Sequence, residues 1–548
     1  MRQHRSASVG LIAVLLSALI TMPGPRVQAQ LQDQEFKLHR QFTVPLVKAV
    51  DVRSLPQLSH AGRPRGAARK AIPHLVHNRP LHERAKTLNS DEAKKAKNPL
   101  RAADFLPPRA DTGTGQGPDT VTGAATTGLY ESLACGGCEP PDTQVGADSN
   151  YLFEAVNTAG FIRDKAGNVL AVFDLHVFTP GEPPGFFISD PKVRFDPLSG
   201  VWFFSIISVS GAPDGSGLWW LGVSQPSDPF HWTLYCFEGV AGTFPDFDAL
   251  GISDDKVVLT ANAFASNNNF VAAEALVLSK AELEAHMPSL DAALFASGAF
   301  FTVQPAHSLS PTGGPLYLAS ADPEFSKVYH VFSIVGTPPG EIKISLTDVP
   351  LDLVNVGPLH SPPNAAQAGT SAPIDTNDNR ALDVVYRDGR IWVVANDGCL
   401  DSSSNFLSCV RLTQIDTAQM ARTQDLDFGE AGGNFYYGAI QVVPDPNIAG
   451  TDDLITVFTE SSPSHFPSVM ASGRVEAIDP PSRLRSPILI QRGLAPYAGN
   501  RWGDYSGAAA DPSSALSGTA WVAGEFTEPN GEWGTAIANI AFTCSPCF

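Results

Sequence analysis

The stretch SDPKVRFDPLSGVWFFSII, Ser189–Ile207, reads as an aspartate-marked start, a short strand, a turn at Pro197–Gly200 and a second strand rich in aromatic residues. Short apolar runs separated by Pro, Asp, Ser and Gly are the signature of a β-hairpin rather than a helix. The same order recurs along the chain. PDTQVGADSNYLFEAVN begins at Pro141, PDFDALGISDDKVVLTANAF at Pro245, RALDVVYRDGRIWVVAN at Arg380 and GDYSGAAADPSSALSGTAWVAGEF at Gly503. Two weaker copies are GGPLYLASADPEFSKVYHVFSI from Gly313 and NFYYGAIQVVPDPNIAGTDDLITVFTE from Asn434. Successive starts lie 48 to 69 residues apart.

A unit of that length, with a hairpin and room for further strands, predicts an all-β chain folded as a seven-bladed β-propeller of four-stranded blades. An isolated blade leaves both sheet faces apolar, and stacking between two neighbours buries them. The innermost strand must be narrow where blades converge, which suits Gly507-Ala508-Ala509-Ala510. Wider outer positions take Trp202, Phe203, Trp392 and Trp521. The one segment with helical periodicity, SKAELEAHMPSLDAALFA at 279–296, is expected to be a helix.

Ahead of the repeats the character differs. Residues 1–29 combine a basic start (Arg2, Arg5), a short apolar run from Val9 and the small-x-small pattern Val27-Gln28-Ala29, which predicts a secretory signal. Residues 30–125 are expected to form a basic arm or pro-segment of low order, and 126–548 the propeller domain. Residues 31–110 carry 16 basic and 7 acidic side chains, whereas 111–548 carry 18 and 49. So acidic a folded part argues against a nucleic-acid partner, whose phosphates need Lys and Arg. No later stretch is long and apolar enough for a transmembrane helix, and a secreted, periplasmic or surface-associated monomer is expected.

Export also decides how the seven cysteines are read. Cys399 and Cys409 bracket the polar loop GCLDSSSNFLSC and are expected to form a disulfide. Two CxxC pairs, Cys135/Cys138 and Cys544/Cys547, would suit a four-thiolate zinc site in the cytosol, but disulfides fit an oxidising compartment better. They either close within each pair or cross-link the two chain ends, the latter contributing on the order of 5 kcal/mol. Cys236 is then left as a buried thiol.

The C-terminal two thirds resembles a group of secreted bacterial β-propeller proteins through SDPKVRFDPLSGVWFFSIIS, SQPSDPFHWTLYCF, FPDFDALGISDDKVVLTANAF, IDTNDNRALDVVYRDGRIWVVAN, SSPSHFPSVMASGR and RWGDYSGAAADP followed by WVAGEF. The resemblance covers about residues 130–542 and implies the fold without an activity. Its similarity to sialidase-like propellers is architectural, since their S-x-D-x-G-x-T-W turn is absent.

The repeat register places Asp142, Asp190, Asp246, Asp248, Asp383 and Asp504 at similar heights near the axial mouth. Such a ring of acids could take Ca²⁺ or supply an acid and a base for sugar cleavage. The same aspartates also suit turn capping. Asp190 and Asp504 are the preferred catalytic pair under a glycoside hydrolase or polysaccharide lyase reading. Arg501 is expected as a carboxylate clamp, Trp502 as a sugar-stacking face and Tyr505 as a further ligand-binding group. The loop IDTNDNRALD, 374–383, has the composition of a calcium loop but not its spacing, so a polar turn is favoured. No HxH, HExxH or G-x-S-x-G pattern is present. Three functions compete: a recognition module for a glycan, a metal ion or an extracellular protein; a carboxylate-based sugar-cleaving enzyme; and a structural or surface-associated protein whose basic arm docks to the cell envelope. Whether the protein is an enzyme is left open by the sequence.

Overall fold

The computed structural model describes residues 35–58, 105–106, 139–179, 186–210, 216–446, 448–499, 501–513 and 518–542. Cys135, Cys138, Cys544, Cys547 and residues 1–34 lie outside that set, and with them the expected signal and both CxxC pairs.

The protein is all-β with many antiparallel sheets. The first strands are β1 (Lys37–Asp51) and the short β2 (Phe105–Leu106). Up-and-down meanders follow in chain order: β3 (Gln144–Ala147), β4 (Tyr151–Val156), β5 (Ala159–Asp164) and β6 (Val169–Asp174); then β7 (Phe186–Asp196), β8 (Val201–Ser210), β9 (Gly217–Gln225) and β10 (Asp228–Glu238). Next come β11 (Thr243–Ile252), β12 (Lys256–Ala265), β13 (Phe270–Ser279) and β14 (Ser289–Ser297). A more irregular region contains β15 (Gln304–Pro305), β16 (His307–Ser308), β17 (Leu316–Ser320), β18 (Phe325–Ser326), β19 (Val328–Val335), β20 (Lys343–Pro350) and β21 (Leu359–His360); there β15, β17, β19 and β20 form one sheet. The chain continues through β22 (Ala381–Arg387), β23 (Arg390–Leu400), β24 (Phe406–Asp416) and β25 (Ala421–Glu430), then β26 (Asn434–Pro444), β27 (Asp452–Ser462), β28 (His465–Arg474) and β29 (Ile488–Gln491). The last meander is β30 (Gly507–Ala510), β31 (Thr519–Thr527) and β32 (Trp533–Ala541).

Each meander packs both faces against neighbours, as apolar faces require. Phe153, Trp202, Phe204 and Trp232 join the β3–β6 sheet to the β7–β10 sheet, and Phe203, Trp219, Leu250 and Leu276 join the latter to β11–β14. Trp392, Phe428, Phe435 and Phe458 fill the space between β22–β25 and β26–β29. Val145, Leu152, Trp521 and Ile537 bring the last sheet against the first. The sheets therefore follow one another in a closed circuit, with the first strand of each meander innermost. Close approach at the centre explains Gly507: a Cβ there would lie 2.6 Å from the backbone nitrogen of Val145 on β3.

Three sequence expectations need correction. Helix is limited, among the described residues, to α1 (Leu175–Phe178) and α2 (Lys280–Glu284), with a 3-10 turn at Val52–Ser54. The helix expected over 279–296 stops after one turn, because SLDAALFAS pairs as β14 with both β13 and β1. The weak copy at Gly313 starts one strand late, since β15 at Gln304–Pro305 precedes β17 in that sheet. The arm expected to lack order contributes β1: Lys37–Pro45 pairs with β14 and Leu46–Asp51 with β10. That strand covers two sheet edges at once and, with the parallel bridge of β16 between β11 and β22, makes hydrogen bonding continuous through fifteen strands.

The Cys399–Cys409 disulfide is present, joining β23 to β24 with Cα atoms 6.2 Å apart. Cys236 is a half-buried thiol on β10, more exposed than expected. No described helix is long and apolar enough to cross a membrane.

Candidate functional site

The inner strands begin with a repeated irregularity. Asp190, Phe247 and Tyr437 have φ of 60°, 56° and 55°, at points where pairing slips between Ser189 and Lys192, Asp246 and Ala249, and Tyr436 and Ala439. These are β-bulges, which re-aim side chains and put non-glycine residues in a costly conformation. Asparagines from the preceding sheet hold several of them. Asn157 Oδ1 accepts the Asp190 N–H at 2.7 Å, Asn396 Oδ1 that of Tyr437 at 2.7 Å, and Asn262 Oδ1 that of Thr302, φ 50°, at 2.8 Å. The Phe247 N–H instead donates to Asp190 Oδ2 at 3.1 Å, and the Asp504 N–H to Asp142 Oδ1 at 2.7 Å. The bulges at Asp190, Phe247 and Tyr437 are thus each locked by a side chain from the preceding sheet.

The bulges turn a charged cluster inward. Asp142, Asp190, Asp246, Asp248, Asp383 and Asp504 all gather at the starts of inner strands and all are buried. Asp190 also accepts from Ser189 Oγ at 2.9 Å and Tyr505 OH at 3.3 Å; Asp142 accepts from Asn157 Nδ2 at 2.7 Å. Asp504 pairs with Arg501 and accepts from Asn377 Nδ2 at 3.0 Å. Asp248 Oδ2 accepts from Ser205 at 2.9 Å. Asp383 pairs at 3.1 Å with Arg194, which links β22 to β7 across the interior.

Cations occupy the space between these acids. Lys192 Nζ stands 3.0 Å from the centroid of the Tyr505 ring, and that ring packs on Phe247 at 4.6 Å. Arg380 lies over Phe247 at 4.3 Å and is gripped by Asp378 through bonds of 2.7 and 2.6 Å. Burial, with the nearby Asp504 and Asp190 charges, pushes Asp142 up to about 8 against the opposing pull of Arg501. Burial likewise brings Lys192 down to about 8, despite Asp248 and Asp190, and raises Asp248 well above the carboxylate range.

Lys192, Arg194, Arg380, Asn157 and Asn377 were missed by sequence reasoning. Part of the signal was present: an asparagine recurs late in the second-strand motif in FEAVN, LTAN and VVAN, whereas Lys192 and Arg194, on one face of the strand in SDPKVRFD, read as solvent-facing and nothing marked Arg380 or Asn377. Trp502 differs from expectation. It is 2% exposed, meets Tyr497 edge-on at 4.9 Å and donates from Nε1 to Thr459 at 3.4 Å, so its indole is a packing group rather than an open stacking face.

Among the described residues no group of three or more His, Cys, Asp or Glu side chains is arranged to hold a metal ion. In the loop 374–383, Asp375 caps the Asn377 N–H at 2.9 Å and Asp378 grips Arg380, which is a polar turn.

No family model matches the chain, and no curated protein matches it. Among solved structures, a mutant Synechocystis apocarotenoid oxygenase is similar at 12% identity, covering 66% of this chain and 72% of that one with a TM-score of 0.36. Trypanosoma rangeli sialidase gives 7% identity over 64% of this chain and 54% of that one, TM-score 0.35. A Cellvibrio cellulosa α-L-arabinanase gives 11% over 63% and 94%, TM-score 0.29.

Proposed function

We propose that the protein is an exported seven-bladed β-propeller, its signal at 1–29 and its blades within 126–548, that recognises a glycan at the end where the inner strands begin. The observation that supports this most is the mixture of donors and acceptors in the buried cluster. Lys192 Nζ and Arg380 Nη1, which donate, Asn377 Oδ1, which accepts, and Asp248 Oδ1, of a carboxyl raised well above the carboxylate range, have no hydrogen-bond partner among the described residues. An anion, which only accepts, would leave the Asn377 oxygen unpaired. Sugar hydroxyls both donate and accept, and they satisfy the whole set without net charge.

The test is a glycan panel presented to the full-length protein, with binders measured by calorimetry. Lys192→Met and Asp504→Asn are expected to weaken binding tenfold or more while the unfolding temperature stays within a few degrees. A protein that holds no glycan, or variants that bind as the parent does, would sink the reading.

A second reading, sugar cleavage, is favoured by one observation. Asp142, which burial keeps protonated near neutrality, stands beside Asp504, which is ion-paired with Arg501; a protonated carboxyl next to an ion-paired one suits an acid and a base. Asp142 then joins the expected pair Asp190 and Asp504 as the proton donor. Under this reading Asp142→Asn retains binding and loses turnover. Absence of any product from bound glycans, followed by mass spectrometry, removes it.

A further inference from the structure

The far ends of the same inner strands line a different, partly open space. A cavity of about 180 Å³ lies among residues of β3, β7, β16, β26 and β30, with Arg387 of β22 at its wall. Gly146 and Ala508–Ala510 leave the room, and Val193, Phe195, Leu309 and Val442 make most of the lining apolar. Two polar atoms on this wall have no hydrogen-bond partner among the described residues: Arg194 Nε and His307 Nε2. The rest of the Arg194 guanidinium is engaged, with Asp383 at 3.1 Å and Gln144 at 3.3 Å.

His307 is 6% exposed. Burial, reinforced by the Arg194 and Lys280 charges, pushes it down to about 3, so the imidazole is neutral, and its ring hydrogen-bonds the backbone of Phe195. A neutral imidazole that donates from one nitrogen presents a lone pair on the other. The wall therefore offers one N–H donor, on Arg194, and one acceptor, on His307.

We propose that this cavity is a second ligand site, separate from the mouth, which takes a compact ring bearing one hydroxyl, a phenol or an alicyclic alcohol. A hydroxyl can both accept from Arg194 Nε–H and donate to His307 Nε2. The volume suits such a ring, since an apolar cavity of about 150 Å³ holds benzene. Benzene itself would leave both buried polar atoms unpaired, and a carboxylate has no proton to give the imidazole. The site does not depend on the glycan reading of the mouth.

The experiment is calorimetric titration of the full-length protein with phenol, cyclohexanol, benzoate and benzene. Phenol and cyclohexanol are expected to bind at least tenfold more tightly than benzoate or benzene. His307→Phe is expected to reduce phenol affinity at least tenfold and leave benzene unchanged, and Ala509→Leu to exclude all four. Phenol no tighter than benzene on the parent protein overturns the proposal, and that comparison stands even if a variant fails to fold. Full phenol affinity in a folded His307→Phe or Ala509→Leu protein overturns it as well. An Asp504→Asn variant should bind phenol normally, which keeps this site distinct from the mouth; loss of phenol binding there also counts against it.

Discussion

Asn396 accepts the N–H of Tyr437, a tyrosine held at positive φ, and both residues are buried. Removing the acceptor strands a buried donor on an already costly backbone. Asn396→Ala is therefore expected to destabilise the protein by about 1–3 kcal/mol, read from the midpoint of urea unfolding at unchanged slope. A loss below a few tenths of that would mean the bulge holds itself. Much at this scale was legible beforehand. Each aspartate at a repeat start marks an inner strand, because a bulge there needs side-chain acceptors for displaced backbone donors. Lys192 and Arg380 were not, because a lysine or arginine in a strand reads as a solvent-facing residue. Only ring closure turns that face inward. Trp502 was misread for the converse reason: its neighbours Arg501, Asp504 and Tyr505 are polar, while the partners that bury it, Tyr497 and Thr459, come from elsewhere in the chain.

At the scale of elements, the disulfide and β1 carry separate predictions. The Cys399–Cys409 bridge closes a short loop between paired strands. Replacing both cysteines with serine should cost roughly 2–3 kcal/mol by loop entropy, with the β22–β25 sheet losing amide protection first. Strand β1 buries few side chains, Val44 and Val50 among them, and holds its place through backbone pairing to two sheets. That is why it escaped notice: its basic, unpatterned sequence lacks the alternation by which strands are recognised, and edge pairing demands none. Deleting residues up to 58 should speed hydrogen exchange in β10 and β14 while β26–β29 stay protected. Uniform protection throughout would show that those edges need no cover. The misassigned 279–296 segment is the opposite case, since its helical period was real but two flanking strands outbid it.

For the molecule as a whole, buried carboxyls set the response to pH. Burial raises Asp142 to about 8 and Glu154, Glu274 and Asp453 to about 7. From about pH 4 to 8 the native state keeps protons that the unfolded chain gives up, so these groups make stability fall as pH rises. His307, pushed down to about 3 by burial, acts the other way between about 3 and 6.5, where the unfolded chain binds the proton and the native state does not. Between pH 6.5 and 8 the raised carboxyls dominate, and His330, raised above its ordinary value, acts in the same direction. Lys192, brought down to about 8 by burial, opposes them only towards the top of the interval. Denaturant unfolding is therefore expected to show a protein more stable at pH 6.5 than at pH 8. A flat or rising profile over that interval would contradict the buried, protonated state of these acids.

Because translation proceeds from the amino end, β1 leaves the ribosome long before Trp232 and Ala296, the residues it finally lies beside, have been made. It has to wait, unpaired, for two neighbouring walls to be built, and then fasten them together. This early strand thus finds its place only once β10 and β14 have been made. Any factor that grips this segment during synthesis or transit would postpone the final step of assembly while leaving the later repeats free to form.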